Sequence, residues 1–353
     1  MIEIEEELNR IQGKINNVLE KHFPRKINKD KLIEICGKPR YDYEIESINK
    51  SIFEPLWNLL DRGGKRWRPA LFLWTCEALG IEAEKYIDFA IIPEIIHNGT
   101  LVIDDIEDKS FLRRGKPAVH LIYGEDIAIN MGNTMYYLPI KIILNNRELD
   151  KEKKLKLLEN YIQEMINLSI GQAMDIAWHK LLIENITEKQ YLQMCSFKTG
   201  SLSRMAVKMA AILANANEEK INALSFFAES LGIAFQIQDD ILNIIGNEKI
   251  YGKEIGGDIS EGKITLMVVY ILNNAPREIS RRLMEILKMH TNDSKIIKEA
   301  INILIEYKAV EYAKNYASKL AKDAWNAVNQ VLSESKAKQC LESLTNYLII
   351  RKF

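Results

Sequence analysis

Apolar residues recur along this chain at intervals of three and four, the spacing that places them on one face of an α-helix. Tyr161, Met165, Leu168 and Gln172 keep that spacing, as do Leu224, Phe227, Leu231, Ala234 and Phe235. No run alternates apolar and polar residues between turn residues, so the pattern predicts an all-α protein without a substantial sheet. Only 8 Pro and 17 Gly occur among 353 residues, and the breaks they help to mark are local. They fall at Arg62-Gly63-Gly64, Arg114-Gly115-Lys116-Pro117, Asn145-Asn146, Asn215-Ala216-Asn217 and a glycine-rich stretch from Gly246 to Gly262. Such breaks separate helices, not domains. The expected organisation is one helical bundle over residues 51–353, with its site between facing helices, preceded by an N-terminal helical extension over residues 1–50.

Two clusters of aspartate interrupt the apolar pattern. The first is Leu101-Val102-Ile103-Asp104-Asp105-Ile106-Glu107-Asp108 and the second is Phe235-Gln236-Ile237-Gln238-Asp239-Asp240-Ile241-Leu242-Asn243. Helical spacing puts Asp104 with Asp108, and Asp239 with Asn243, on a shared face. Carboxylates crowded on apolar helices repel one another and are costly to desolvate unless cations neutralise them. One D-D-x-x-D alone reads equally well as a solvated acidic face, whereas two in apolar helices point to magnesium, a hard cation that bridges carboxylates to phosphates.

Charge and composition narrow the ligands. Lys plus Arg number 48 against 49 Asp plus Glu, a net charge of -1, so no global field recruits nucleic acid or an anionic membrane. Any anion site is therefore a local cluster, and the candidates lie near turns: Gly63-Gly64-Lys65-Arg66-Trp67-Arg68-Pro69, then Arg113-Arg114-Gly115. Guanidinium groups bind phosphate oxygens bidentately and lysine adds a point charge. Lys198-Thr199-Gly200, Lys253 and Lys263 add further cations, and His97 stands on the helix of the first aspartate cluster. A Walker A motif is absent, which disfavours ATP hydrolysis.

Cys36, Cys76, Cys195 and Cys340 are far apart in apolar stretches, without a C-x-x-C pair, and read as small buried hydrophobes of a reducing cytoplasm. The opening MIEIEEELNR lacks the basic and apolar regions of a signal peptide. Pro93, Glu94 and His97 interrupt the most apolar stretch, so no membrane span of roughly 20 residues is expected. The expectation is a soluble cytoplasmic protein with no integral membrane segment.

Taken in order, these motifs resemble the trans-isoprenyl diphosphate synthases, the family of the farnesyl and geranylgeranyl diphosphate synthases. The resemblance runs from about Ser51 to the C-terminus: the G-G-K-R-x-R-P turn at Gly63 to Pro69, His97, the first aspartate-rich motif at Asp104 to Asp108, and Arg113 with Arg114. There follow the G-Q-x-x-D run at Gly171 to Asp175, Lys198 with Thr199, and the second aspartate-rich motif at Asp239. It implies the all-α isoprenoid synthase bundle with the active site in a central cavity, assembled as a homodimer. It further implies a chain-elongating prenyltransferase that condenses isopentenyl diphosphate with an allylic diphosphate by ionisation, condensation and elimination.

Carried over to this sequence, the resemblance gives Lys65, Arg68 and His97, helped by Arg114, the isopentenyl diphosphate. Arg113, Lys198, Lys253 and Lys263 receive the allylic diphosphate. Asp104, Asp108 and Asp239 ligate magnesium, three ions per site, while Asp105, Asp240 and Asn243 act one layer back. Thr199 and Gln236, beside Lys198, offer oxygens to the developing carbocation. Two departures stand out: Asn243 and Asn133 occupy places where the family has aspartate. Bulky residues four and five places before the first aspartate stop the growing chain in this family, and here those places hold Thr100 and Gly99. The resemblance therefore implies products of geranylgeranyl length or longer, unless Met131, Met135, Tyr136 or Tyr137 supplies a floor. A class I terpene cyclase would lack the second diphosphate site, and a non-catalytic subunit of a heteromeric synthase would not need the intact first motif. These remain the alternatives.

Overall fold

The computed structural model describes residues 3–180, 185–246 and 255–349, and they form two compact units: residues 1–159 with 209–215, and residues 160–208 with 216–353. In the first unit, α1 (Ile4–His22) buries Leu8, Ile11, Ile15, Val18 and Leu19 along one stripe and packs on α2 (Trp67–Ala78) and α3 (Ile87–Glu107). Glu5, Glu6 and Glu7 in its first turn and Lys21 and His22 in its last match the helix dipole. The N-terminal helix is thus part of this unit's core. Its last turn is tied down by Lys21 and His22, whose side chains lie 2.7 and 3.1 Å from Asp88 on α3.

The sequence led us to expect no run apolar enough for a membrane span, but the helical stretch Ala83–Glu107, which contains α3, meets that length and composition. The reason is burial: 61% of its apolar window is enclosed within the fold, and an apolar core helix needs no polar face. Against α3 lies α4 (Glu125–Tyr137). Their backbones meet at two glycines, since a Cβ on Gly99 would stand 3.1 Å from the Gly132 carbonyl and one on Gly132 would stand 2.9 Å from Ile103.

Between α3 and α4 the chain makes the only sheet among the described residues, a hairpin of β1 (Leu112–Arg113) and β2 (Lys116–Pro117) with Arg113 opposite Lys116. Its turn residues Arg114 and Gly115 both have positive φ, 52° and 71°, the geometry that reverses two strands tightly.

α5 (Lys151–Lys180) contributes to both units. In the second unit, α6 (Glu188–Cys195) opens with a capping box, Thr187 and Gln190 satisfying each other's backbone. It runs into one π-helical turn, Ser196–Gly200, and then α7 (Ser201–Leu213). The core helix α8 (Glu218–Ile245) lies along α9 (Ala309–Val331), with Phe227 and Trp325 edge to face at 5.9 Å between ring centres.

Candidate functional site

In the first unit the cations converge. Gly63 and Gly64 have φ of 85° and 138°, and Arg66 sits in the left-handed region at 49°, so the chain turns sharply into α2. That turn delivers Arg66 and Arg68, both buried. Arg66 Nη1 donates to Glu94 at 2.8 Å, a buried pair that anchors the loop. Arg114 donates to the Gly63 carbonyl, and at 3.2 Å to Asn98 Oδ1, while Arg62 donates to the Arg113 carbonyl at 3.0 Å. Loop and hairpin are therefore cross-tied, and Gln12 of α1 adds a bond to the Gly64 carbonyl at 2.9 Å.

The result is a crowd of guanidinium groups. Burial, and then the Arg66, Arg113 and Arg62 charges, against the opposing pull of Glu94, push Arg114 down to about 10. His97 is held well below the usual histidine range by burial first and then by Arg68, Arg114, Arg113 and Arg66, so its imidazole is neutral at pH 7 and carries one N–H donor. Like charges assembled beside a neutral donor form a site for a polyanion.

The first aspartate cluster ends α3. Asp105 is buried and accepts from Arg113 Nε at 2.9 Å and Nη2 at 2.5 Å, which orients that arginine. Asp104 is half-buried, 3.8 Å from the same guanidinium, and Asp108 is half-buried one turn on. Among the described residues no three histidine, thiol or carboxylate side chains already form a metal cage. Two accessible carboxylates one turn apart nevertheless suit magnesium, which keeps water and substrate oxygens as ligands and asks for only one or two protein carboxylates.

The second unit holds another set. Lys198, in the π-turn, places Nζ 2.6 Å from Asp175 of α5. Thr199 donates its hydroxyl to Gln236 Oε1 at 2.7 Å, leaving its lone pairs available. Gln236 donates at 2.9 Å to Asp240, which also accepts from Tyr191 at 2.7 Å. Burial above all, with the neighbouring Asp239 and Asp175 charges, pushes Asp240 up to about 6 despite those two bonds. Asp239, its neighbour on α8, is half-buried. Asn243 is buried and accepts from the Asp258 N–H at 3.1 Å, so its amide anchors the following loop. Lys263 lies 2.5 Å from Glu261 and 4.0 Å from Asp258, and Lys253 lies outside the described residues.

The sequence-predicted residues thus fall into two groups. Lys65, Arg68, His97, Asp104, Asp105, Asp108, Arg113 and Arg114 belong to the first unit, and Lys198, Thr199, Gln236, Asp239, Asp240, Asn243 and Lys263 to the second. Sequence reasoning passed over Glu94, Asn98 and Tyr191, which hold Arg66, Arg114 and Asp240. Glu94 and Asn98 could have been found, because polar residues four apart in an otherwise apolar helix share one buried face. Tyr191 left no such sign.

Comparison with known proteins gives the family. The Polyprenyl synthetase family model matches residues 49–304. The short chain isoprenyl diphosphate synthase of Methanothermobacter thermautotrophicus is 35% identical over 295 residues, covering 84% of this chain and 89% of that protein. The geranylfarnesyl diphosphate synthase of Aeropyrum pernix is 32% identical, covering 83% and 92%. The crystal structure of the geranylgeranyl pyrophosphate synthetase of Pyrococcus horikoshii superposes with a TM-score of 0.85 at 34% identity, over 99% of both chains. This all-α chain belongs to the Polyprenyl synthetase family.

Proposed function

We propose that this chain is a magnesium-dependent trans-prenyl diphosphate synthase, which joins isopentenyl diphosphate to an allylic diphosphate and makes geranylgeranyl diphosphate. The observation that carries the reading is the guanidinium crowd around neutral His97, two helical turns before Asp104. A diphosphate is the ligand whose charge and oxygen count answer such a crowd.

Lys65, Arg68, Arg114 and the His97 N–H hold isopentenyl diphosphate. Asp104, Asp108 and Asp239 would hold magnesium, which would supply charge neutralisation to the allylic diphosphate. Arg113, set by Asp105, and Lys198, set by Asp175, hold that diphosphate, with Lys253 and Lys263. As its carbon–oxygen bond breaks, the bonding electrons leave with the diphosphate, and the Thr199 Oγ1 lone pairs and the Gln236 amide oxygen face the carbocation charge that remains. The isopentenyl double bond forms the new carbon–carbon bond, and the departing diphosphate takes the proton released.

The product length rests on Tyr136. A Cβ on Gly99 would meet Tyr136 Cε1 at 3.1 Å and Met135 Cβ at 3.0 Å, so α4 fills the space that a bulky residue on α3 would take. Tyr137 is 69% exposed and provides no floor. Self-association as a homodimer is supported by Ile162, Ile166 and Ile170 on α5, a stripe about half exposed at helical spacing. The isopentenyl diphosphate set, at Lys65, Arg68 and His97, is what a terpene cyclase would not need.

The test is incubation of purified protein with magnesium, isopentenyl diphosphate and, in turn, dimethylallyl, geranyl and farnesyl diphosphate, with products sized by mass spectrometry. Products that end at twenty carbons, lost on chelation or in Asp104→Ala, are expected. No condensation with any primer would overturn the reading.

A further inference from the structure

The π-turn at Ser196–Gly200 carries Lys198 and Thr199, and a turn of this kind is rare, an extra residue being inserted where the carbonyls pair five residues on. Two side chains of α7 donate to its carbonyls. Arg204 Nη1 donates to the Ser196 carbonyl and to Ser196 Oγ, each at 3.0 Å. Ser201 donates its hydroxyl to the Phe197 carbonyl at 2.6 Å, and itself accepts from Arg204 Nη2 at 3.1 Å.

The guanidinium is in turn fixed on two sides. Its Nη2 and Nε reach Glu164 of α5 at 2.8 and 3.1 Å, and Nη1 reaches Glu229 of α8 at 2.8 Å. Glu164 and Arg204 are both buried, with 1% and 5% of their surface exposed. Burial works to raise Glu164, but Arg204 and Lys208 bring it below the usual carboxylate range, so the pair is fully ionised. Neither residue reaches Lys198 or Thr199 side chains; what they hold is the backbone between α6 and α7.

Resting on the elongation reading above, we propose that Arg204, with Glu164 and Ser201, is a positioning device for the reaction. It holds the π-turn in the register that points Lys198 at the allylic diphosphate and Thr199 at Gln236. Relaxation of the π-turn to ordinary helix would remove its extra residue and rotate Lys198 and Thr199 by about 100° relative to α7. Stability alone would not call for this register; the two side chains that depend on it would.

The experiment is a double-mutant cycle. Arg204→Gln and Ser201→Ala are each made in the wild-type and the Lys198→Ala backgrounds, and steady-state constants are measured for both diphosphates alongside circular dichroism and Tm. Expected in the wild-type background is a drop of tenfold or more in kcat/KM for the allylic diphosphate, with KM for isopentenyl diphosphate within about twofold. In the Lys198→Ala background the same changes should cost clearly less than in the wild type, since one of the two groups they position is already gone. Arg204→Lys, which keeps charge but not the fork, should recover only part of the loss. Should Arg204→Gln fail to fold, the milder Ser201→Ala decides alone. Equal losses in both backgrounds, or a folded variant with wild-type constants, would overturn the proposal. An inactive wild type would instead overturn the elongation reading on which it rests.

Discussion

The ring edge of Tyr136 lies against Gly99, five residues before Asp104 and in the register where this family places its stop. Burial, followed by the charges of Glu107 and Asp104, raises the Tyr136 hydroxyl above its ordinary value, so the ring also stands near the aspartate-rich end of α3. Tyr136→Ala should lengthen the product by one or more five-carbon units while leaving the first condensation within about threefold of wild type, as read by mass spectrometry of the product ladder. His97 supports a second prediction. Its folded pKa lies below that of a free histidine, so the unfolded chain binds the proton first, and stability falls as pH drops below about 6.5. In the substrate-free protein the His97 ring signals should show no titration between pH 6 and 8 by NMR. Both residues were legible as candidates, one from its place before the aspartates and one from its place on a neighbouring helix. The neutral state of His97 was not, because it depends on arginines from two segments that only the fold assembles.

At the scale of elements, glycine decides how closely helices approach. A Cβ at Gly171 on α5 would stand 2.3 Å from the Lys198 backbone nitrogen, and one at Gly232 on α8 would stand 2.7 Å from Gly200 Cα. Backbone cannot yield as a side-chain tip can, so Gly171→Ala must displace the π-turn. We expect it to cost about 3 kcal/mol or more and to abolish condensation. Gly13, exposed in the middle of α1, meets nothing within 4 Å, and Gly13→Ala should instead raise stability by about 0.5 to 1 kcal/mol. Thermal melts of the two variants, shifted in opposite directions, check the pair. Helix spacing in the sequence gave away the all-α class and the main apolar stripes, including Leu224, Phe227 and Leu231, all buried. It could not give the π-turn, since Ser196 to Gly200 continues an unbroken helical pattern and the extra residue shows only once Arg204 meets the Ser196 carbonyl.

For the molecule, the N-terminal helix offers a handle on pH. Hydrogen bonding to His22, against the opposing effect of burial and with help from Lys21, brings Asp88 down to about 2. A depressed carboxylate contributes stability above its unfolded pKa of about 4 and loses it as pH falls through the folded value. Discounted for partial exposure, the contribution is about 1 to 2 kcal/mol at pH 7. Asp88→Asn should lose that much in denaturant melts at pH 7 and little by pH 2. A last consequence follows from the arginines tied around Gly63 and His97. A chain of net charge -1 holds a local cluster of positive charge there, and the mutual repulsion is a load on the resting protein that ionic strength relieves, with a reach of about 10 Å at 0.1 M salt. Inorganic pyrophosphate, with no carbon chain to bury, should therefore act as a stabiliser, raising Tm by an increment that shrinks as sodium chloride is added. On that expectation the protein should be sturdier when anions are plentiful than when its cation cluster is empty.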